Sequence, residues 1–238
     1  MRLNVLNIAV VLLCVACSAP MTKQNRPLPD PTGDVLFVNE QRPNEGEENL
    51  RILVTDNYLR IDNGNDGDDY LLFNLEKMKI FNIVHDDQTI LRIGRTDTPT
   101  PILPTIEWSV ETEDSNALMA RKEEGNKAIH TKYAINGEPC YSVISVKGLL
   151  PSSLSLIKAY RRALASELMT TINNFVDQDL CYTAINIIEP NRVLESGFPI
   201  REWSHSGFQR FLVDYKTQVI IPRKLFDLPT GYAIYGAP

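Results

Sequence analysis

Residues 58–74 read YLRIDNGNDGDDYLLFN, two apolar segments separated by a polar turn. The first segment, Tyr58–Asp62, alternates apolar and polar side chains, as a strand with one buried face does. Residues 63–67 are rich in Asn and Gly, which is typical of a turn, and Tyr70–Asn74 follows as a second strand. Such a short connection joins antiparallel neighbours, because parallel strands need a long crossover. The stretch therefore predicts a β-hairpin.

The same alternation of short strands and turns continues on both sides of this hairpin. One further hairpin is predicted across residues 86–87, and another across residues 136–139, which read Asn-Gly-Glu-Pro. Besides the first two, the predicted strands are residues 35–38, 51–54, 79–85, 89–93, 105–111, 129–135, 140–147, 198–204, 208–215 and 218–224. Because most connections are short, neighbouring strands are expected to pair antiparallel.

The clearest helical pattern begins at Pro151, where Ser152 and Ser153 offer an N-terminal cap. The apolar residues that recur at helical spacing are Leu154, Ile157, Leu164, Leu168, Ile172 and Phe175. The opposite face carries Lys158, Arg161, Arg162 and Glu167. We expect this basic face to lie in water, with contact to anionic lipid headgroups as the alternative.

A shorter second helix is predicted at residues 179–188. With about ten strands and one long amphipathic helix, the fold class predicted for residues 34–238 is a single α+β domain. A curved, mostly antiparallel sheet needs a cover for its apolar face, and the long helix supplies an apolar stripe for this purpose.

The N-terminus has the pattern of an export signal. A positive charge at Arg2 precedes an apolar run that is too short to span a bilayer comfortably, so residues 1–16 are predicted to be a signal peptide. Residues 13–18, LCVACS, resemble the lipobox of bacterial lipoproteins, although Cys14 stands where Leu is usual. The resemblance implies lipid on Cys17. Plain secretion with cleavage after Ala19, or a retained anchor, are the alternatives.

Residues 17–33 follow as a lipidated N-terminus and a Pro-rich tether. Ser18 after the modified cysteine resembles lipoproteins sorted to the outer membrane, which implies a location on its periplasmic face. The net charge of −6, without a basic cluster, argues against a nucleic-acid partner. The expected partner is thus a membrane, reached through the lipid, while a protein partner is not specified.

The cysteine count predicts a disulfide. Once Cys14 is removed and Cys17 is acylated, Cys140 and Cys181 remain, and an oxidising compartment favours a bond between them. Two buried free thiols are the alternative. No metal site or cofactor is expected, because the three histidines are scattered and no Cys-x-x-Cys pair remains once Cys14 is removed with the signal peptide.

Three short segments, residues 57–62, 72–74 and 225–232, resemble the LolA/LolB/RseB superfamily of periplasmic lipid and lipoprotein carriers and sensors. The resemblance implies a half-open β-barrel, here covered by one long amphipathic helix and a shorter one. It also implies a hydrophobic cavity that accepts an acyl chain or a lipidated protein. No residue matches the superfamily closely enough to be assigned to ligand binding.

Two patterns that suggest chemistry have simpler interpretations. The acidic run at residues 62–69 lacks ligands where a calcium loop needs them, so we interpret it as a solvated turn. Residues 204–207, Ser-His-Ser-Gly, are interpreted as a hairpin turn without a nucleophile elbow. No catalytic residue is assigned. A hydrolase that uses His205 or His130 is the remaining enzymatic alternative.

The sequence thus predicts a membrane-anchored, non-enzymatic lipoprotein that binds an apolar ligand. The alternative is a lipoprotein of the cell envelope that binds a protein partner through its outer surface.

Overall fold

The structure is a computed structural model that describes residues 28–65, 67–94, 103–115, 127–169 and 179–236. Within these residues, twelve strands form one open sheet in the order β12-β6-β5-β4-β3-β2-β1-β11-β10-β9-β8-β7. Their bounds are β1 Thr32–Arg42, β2 Gly46–Val54, β3 Tyr58–Asp62, β4 Tyr70–Asn74, β5 Lys79–Val84, β6 Thr89–Ile93, β7 Trp108–Ser115, β8 Ala128–Ile135, β9 Glu138–Val146, β10 Phe198–Ser204, β11 Gln209–Ile220 and β12 Ala233–Gly236.

Neighbouring strands are antiparallel, apart from the parallel pair of β12 and β6. Strands β1–β6 form a meander, and β1 also pairs with β11, which joins the two ends of the chain. The β8–β9 hairpin turns at Asn136 and Gly137, whose φ angles of 52° and 87° are both left-handed. Asn-Gly is the favoured pair for such a turn, because both central residues need a positive φ.

The expected α+β fold, a half-open β-barrel covered by a long and a shorter helix, is wrong. The described chain is mostly β and forms an open sheet with two α-helices, one of them short. The reason lies in the strands: residues 35–38 and 70–73 are apolar at consecutive positions, so both faces of the sheet need burial. A single helix cannot cover two faces.

The long helix, α1, spans Pro151–Leu168 and packs on one face of the sheet. Its N-cap is Leu150, which makes no side-chain capping hydrogen bond, so the predicted serine cap is wrong. Instead the Ser153 hydroxyl donates to the buried Asp34 carboxylate at 2.6 Å and fixes the first turn of α1 to β1. The predicted helical positions Ile172 and Phe175 lie outside the described residues.

The second helix, α2, spans only Leu180–Thr183 and continues as a π-helical turn, Ala184–Ile188. Asp179 caps it by accepting from the Tyr182 backbone N–H at 2.8 Å. A disulfide joins Cys181 of α2 to Cys140 of β9, with Cα atoms 5.4 Å apart. The disulfide therefore ties this short helical segment to the sheet.

The C-terminal part differs from the sequence prediction at two places. The sequence predicts two strands within residues 208–224, but β11 is one continuous strand. Its pairing with β1 shifts register along its length. The superfamily resemblance also implies a final strand at residues 225–232. These residues instead begin inside a 3₁₀ turn, Arg223–Phe226, and pack across the sheet. The chain then adds β12 at the edge.

The meander consequently has two differently covered faces. The helix face, which includes Leu36, Leu59 and Phe73, packs against α1. The tail face packs against the C-terminal segment, residues 221–232, here called the tail; it carries Val35, Leu53, Tyr70, Leu72 and Ile83. A third core joins β8 and β9 to α2 and the π-helical turn. No helix in the described ranges is both long and apolar enough to cross a membrane.

Candidate functional site

A cavity of about 770 Å³ lies on the helix face. This volume falls within the roughly 300–1,000 Å³ that is usual for sites binding small molecules. The apolar side chains that line it are Leu36, Leu50, Ile52, Leu59, Ile61, Leu71, Ile157, Leu164, Leu194, Phe198, Ile200 and Leu212. They lie on β1–β4, α1, β10 and β11, apart from Leu194, which lies in the segment before β10.

Several of these side chains are only half-buried although they belong to the core. Leu50, Ile52 and Ile61 on the sheet, and Leu164 on α1, all retain exposed surface and pack at the border of the main cluster. Because apolar side chains in a filled core lose nearly all contact with water, this partial exposure marks a place where the core is left open.

A cluster of charged side chains lies at one side of the cavity. Glu40 on β1, Arg210 on β11 and Glu202 on β10 are direct cross-strand partners, so their side chains share the helix face. Arg210 Nε donates to Glu40 Oε2 at 2.8 Å, and Arg210 Nη1 lies 3.5 Å from Glu202 Oε2. Both glutamates are only 2% exposed. Buried carboxylates need such partners, since an unpaired buried charge is costly.

Further groups complete the contacts of the two carboxylates. Arg42 Nη2 lies 2.6 Å from Glu40 Oε1, and the Tyr141 hydroxyl donates to Glu202 Oε1 at 3.1 Å. Burial, and next the Glu202 charge, raises the pKa of Tyr141 well above its usual value, so the phenol stays protonated. Burial alone would lower the pKa of Arg210, but Glu202 and Glu40 raise it above its ordinary range. Arg210 therefore keeps its charge between the two carboxylates, while Tyr141 remains a neutral donor.

Arg161 and Tyr160 on α1 also line the cavity. Arg161 Nη2 donates to the Ile185 carbonyl at 3.1 Å, and its Nε donates to the Pro190 carbonyl. The expectation that Arg161 lies on a solvated face is thus wrong, whereas Arg162, the next residue, is exposed. Burial lowers the pKa of Arg161 and raises the pKa of Tyr160.

Sequence patterns do not single out Glu40, Glu202 or Arg210. One signal is present: Glu40 lies in the same phase of β1 as the apolar residues Leu36 and Val38. A charge in the buried phase of a strand must find a partner inside the protein. That partner, Arg210, is 170 positions away, so no local pattern could identify it.

The acidic turn at residues 62–69 borders the other side of the cavity. Asp62 is buried and accepts from Arg51 Nε at 2.8 Å and from Arg60 Nε at 2.6 Å. Its carboxylate is thereby committed to two guanidinium groups. Among the residues that the structure describes, no group of His, Cys, Asp and Glu could hold a metal ion.

Within the part of the chain that the structure describes, no hydrogen bond joins the ring of His130 or His205 to a hydroxyl. His130 Nδ1 lies 2.8 Å from Glu113 Oε1, and its Nε2 is buried without a hydrogen-bond partner among the described residues. His205 lies in the β10–β11 turn, beside Ser206, whose hydroxyl contacts that of Ser204 at 2.8 Å. A smaller cleft of about 450 Å³ includes His205, and no hydroxyl contacts a histidine ring there.

Of the predicted site residues, Cys17 lies outside the described residues. Cys140 and Cys181 form their disulfide in the third core, and neither lines the cavity.

No protein-family model matches the chain, and no curated protein sequence does. Among solved structures, an uncharacterized conserved protein from Thermus thermophilus aligns over 86% of this chain and 90% of its own, with a TM-score of 0.44 and 11% identity. Two crystal forms of PNGF-II align with TM-scores of 0.39 and identities of 8% and 9%. These two alignments cover 85% and 87% of this chain, but only 30% and 32% of PNGF-II. Such low TM-scores assign neither fold nor function.

Proposed function

We propose that the protein is a lipid-anchored, non-enzymatic protein of the bacterial envelope that binds an apolar ligand in the cavity of the helix face. The observation that carries the proposal is the cavity itself, about 770 Å³, whose lining combines leucine and isoleucine side chains with charged and polar ones. An apolar ligand gains roughly 25 cal/mol for each Å² of apolar surface that leaves water. A chain with many methylene groups would fill this space favourably.

The composition of the walls favours an acyl chain over a polar metabolite. Polar ligands need several convergent donors and acceptors, whereas Leu50, Ile52 and Ile61 on the sheet and Ile157 and Leu164 on α1 supply apolar wall from two elements. Charged groups from the strands, the acidic turn and α1 complete the lining. This arrangement suits a long apolar body, either a free acyl chain or the lipid of a lipidated protein.

Binding of N-phenyl-1-naphthylamine, a neutral apolar fluorophore, tests this proposal. We expect its emission to rise on addition of the protein and to saturate at one site. The variant Leu71→Trp places a larger side chain on the cavity wall and should weaken binding. Val213→Trp is the matched control, because Val213 is 61% exposed and does not line the cavity. Equal binding by both variants would argue that the probe occupies another site.

The membrane anchor has its own test. Cys17→Ser should abolish incorporation of labelled palmitate and release the protein from the membrane fraction. Cys14→Ser is the control and should leave both unchanged, because the bulky Leu13 precedes Cys14. Continued palmitate labelling of Cys17→Ser would contradict the anchor.

A second function, binding of a protein partner, is favoured by the β12 edge of the sheet. Ile234 and Tyr235 on β12 are 57% and 58% exposed. An exposed apolar edge strand is a template for pairing with another chain. Photo-crosslinking from position 235 in cells should capture one reproducible partner, and Ile234→Lys should prevent the capture. Unchanged capture by Ile234→Lys would exclude this edge.

A further inference from the structure

Arg161 brings spare hydrogen-bond donors to the wall of the cavity. A guanidinium has five N–H groups, and Arg161 uses two of them, on the carbonyls of Pro190 and Ile185. Neither partner is charged. Arg161 belongs to none of the ion pairs formed by the described residues, unlike Arg42 and Arg210. Its charge is therefore left without a carboxylate in contact.

The nearby carboxylates are already occupied. Arg42 and Arg210 hold Glu40, while Arg210 and the Tyr141 hydroxyl hold Glu202. Glu48, the cross-strand partner of Glu40, also lines the cavity but is exposed to water. Glu202 is the charged group that does most to raise the pKa of Arg161, yet the two form no ion pair, so an anion in the cavity would meet a guanidinium without a charged partner among the described residues.

Tyr160 offers a second donor beside Arg161. Its hydroxyl makes no hydrogen bond with another described residue, and its ring packs on Phe73 with centroids 5.9 Å apart. Burial raises the pKa of Tyr160, so the phenol keeps the proton that it can donate. A ligand in the cavity thus meets both a guanidinium and a phenol that can donate to it.

The same side of α1 combines this polar pair with apolar neighbours. Ile157 and Leu164 are spaced three or four positions from Arg161 and Tyr160, so they lie on the same side of the helix. All four side chains line the cavity. A ligand with its charged end at Arg161 would therefore have apolar wall on both sides for its chain.

We propose that Arg161 and Tyr160 form a headgroup subsite, and that the ligand is an acyl chain ending in a singly charged oxyanion. This inference rests on the proposed function, because it assigns the polar end of the same ligand. A single charge fits best: a doubly charged phosphate monoester would meet added repulsion from Glu40 and Glu202, whereas one negative charge is balanced by Arg161. A fatty-acid carboxylate and a phosphodiester headgroup share this chemistry.

Competition against N-phenyl-1-naphthylamine tests the subsite. The three competing ligands carry the same acyl chain and differ in their polar end. Lauric acid is ionised at about pH 8, methyl laurate is neutral, and lauroyl lysophosphatidylglycerol carries a phosphodiester. We expect lauric acid, the lysophospholipid or both to displace the probe at roughly tenfold lower concentration than methyl laurate, because a hydrogen bond to a charged group contributes about 1.5–3 kcal/mol. The stronger of the two anions identifies the source of the headgroup.

Arg161→Gln should remove this preference for anions, so that the acid and the ester displace the probe at similar concentrations. Arg162→Gln is the matched control, since it removes the same charge from an exposed neighbour, and it should retain the preference. Equal displacement by acid and ester in the wild type, or an intact preference in Arg161→Gln, overturns the subsite but not the proposed function. Failure of the wild type to bind the probe overturns both.

Arg161→Gln could fail to fold, because Arg161 also holds two carbonyls. In that case the subsite is tested on the wild type, by following the resonance of bound ¹³C-carboxyl-labelled laurate as the pH is changed. A carboxylate paired with a guanidinium stays ionised at lower pH than the free acid does. We therefore expect the bound resonance to titrate below free laurate. Titration at or above the free value contradicts the subsite.

Discussion

The two faces of the meander are covered in opposite ways. On the tail face, Phe226 stacks on Tyr58 with ring centroids 5.3 Å apart, and the Tyr70 hydroxyl donates to the Asp227 carbonyl at 3.2 Å. Arg60 also donates to the Leu225 carbonyl at 2.8 Å. The tail thus fills this face with packed rings and satisfied hydrogen bonds. On the helix face, α1 is fixed at its N-terminus by Ser153, while the region near Leu164 borders a cavity.

This difference indicates that the two faces of one sheet have different roles. A closely packed layer stabilises the fold, because interiors at crystal-like density lose little to voids. A layer that is left open gives up that stabilisation and retains space for a ligand. We therefore expect side-chain truncation to be costly on the tail face and much cheaper at the border of the cavity on the helix face.

The largest expected effect is that of Phe226→Ala. Phe226 is 6% exposed in the tail-face core, and deletion of a buried aromatic ring costs about 3–5 kcal/mol of unfolding free energy. Leu164→Ala is the comparison on the helix face; Leu164 is half-buried, so we expect a loss of about 1 kcal/mol. Urea unfolding measures both. Equal losses would mean that the helix face is packed as closely as the tail face.

The next largest effect is expected from removal of the disulfide in a Cys140→Ala/Cys181→Ala double variant. The bond spans 41 positions, and a cross-link over a loop of this order contributes about 3–4 kcal/mol on the chain-entropy model. Asn186 and Leu194, which line the cavity, follow the linked helix α2. The variant should therefore lose probe affinity as well as stability. Loss of stability with unchanged affinity would show that the cavity does not depend on this segment.

The same comparison shows what the sequence could predict. Tyr58–Asp62 and Tyr70–Asn74 are strands with the expected bounds, because a hairpin depends on local alternation and a local turn. Burial of both faces of the sheet is indicated only by the consecutive apolar residues at 35–38 and 70–73. Which segment covers which face depends on contacts between distant positions, such as Phe226 with Tyr58, and strand periodicity carries no information about them.

Arg161 shows a second limit of sequence patterns. Helical spacing predicts that Arg161 lies opposite the apolar stripe. A long side chain can nevertheless lie along the helix surface, so that its charged end reaches a different side of the helix. Here it reaches the carbonyls of Ile185 and Pro190 in a segment that follows much later in the chain. The helix was therefore predicted, while the role of its basic residue was not.

A smaller, pH-dependent effect is expected from Asp62. Burial alone would raise the pKa of Asp62, but hydrogen bonds from Arg51 and Arg60 hold it below the usual value. A carboxylate with a lowered pKa stabilises the folded state above the unfolded pKa of about 4, and this contribution is lost as the pH falls below it.

Asp62→Asn removes that titration. The variant should be less stable than the wild type at neutral pH, by about 1–3 kcal/mol for a lost charged hydrogen-bond partner. The difference should shrink as the pH falls below about 4. Urea unfolding between neutral and acidic pH measures it. A difference that stays constant over this range would show that Asp62 does not stabilise the tail face through its charge.

The smallest change in stability is expected from Leu71→Phe, and it compares the two faces at neighbouring positions. Leu71 lines the cavity and is half-buried, whereas Leu72 is 2% exposed on the tail face. A larger ring at position 71 has space to enter, so we expect a change within about 0.5 kcal/mol together with weaker probe binding. Leu72→Phe overpacks a filled core and should cost about 1–3 kcal/mol without loss of probe binding. If both variants lost equal stability, the cavity would have no room for an added ring, and the ligand assigned to it would have none either.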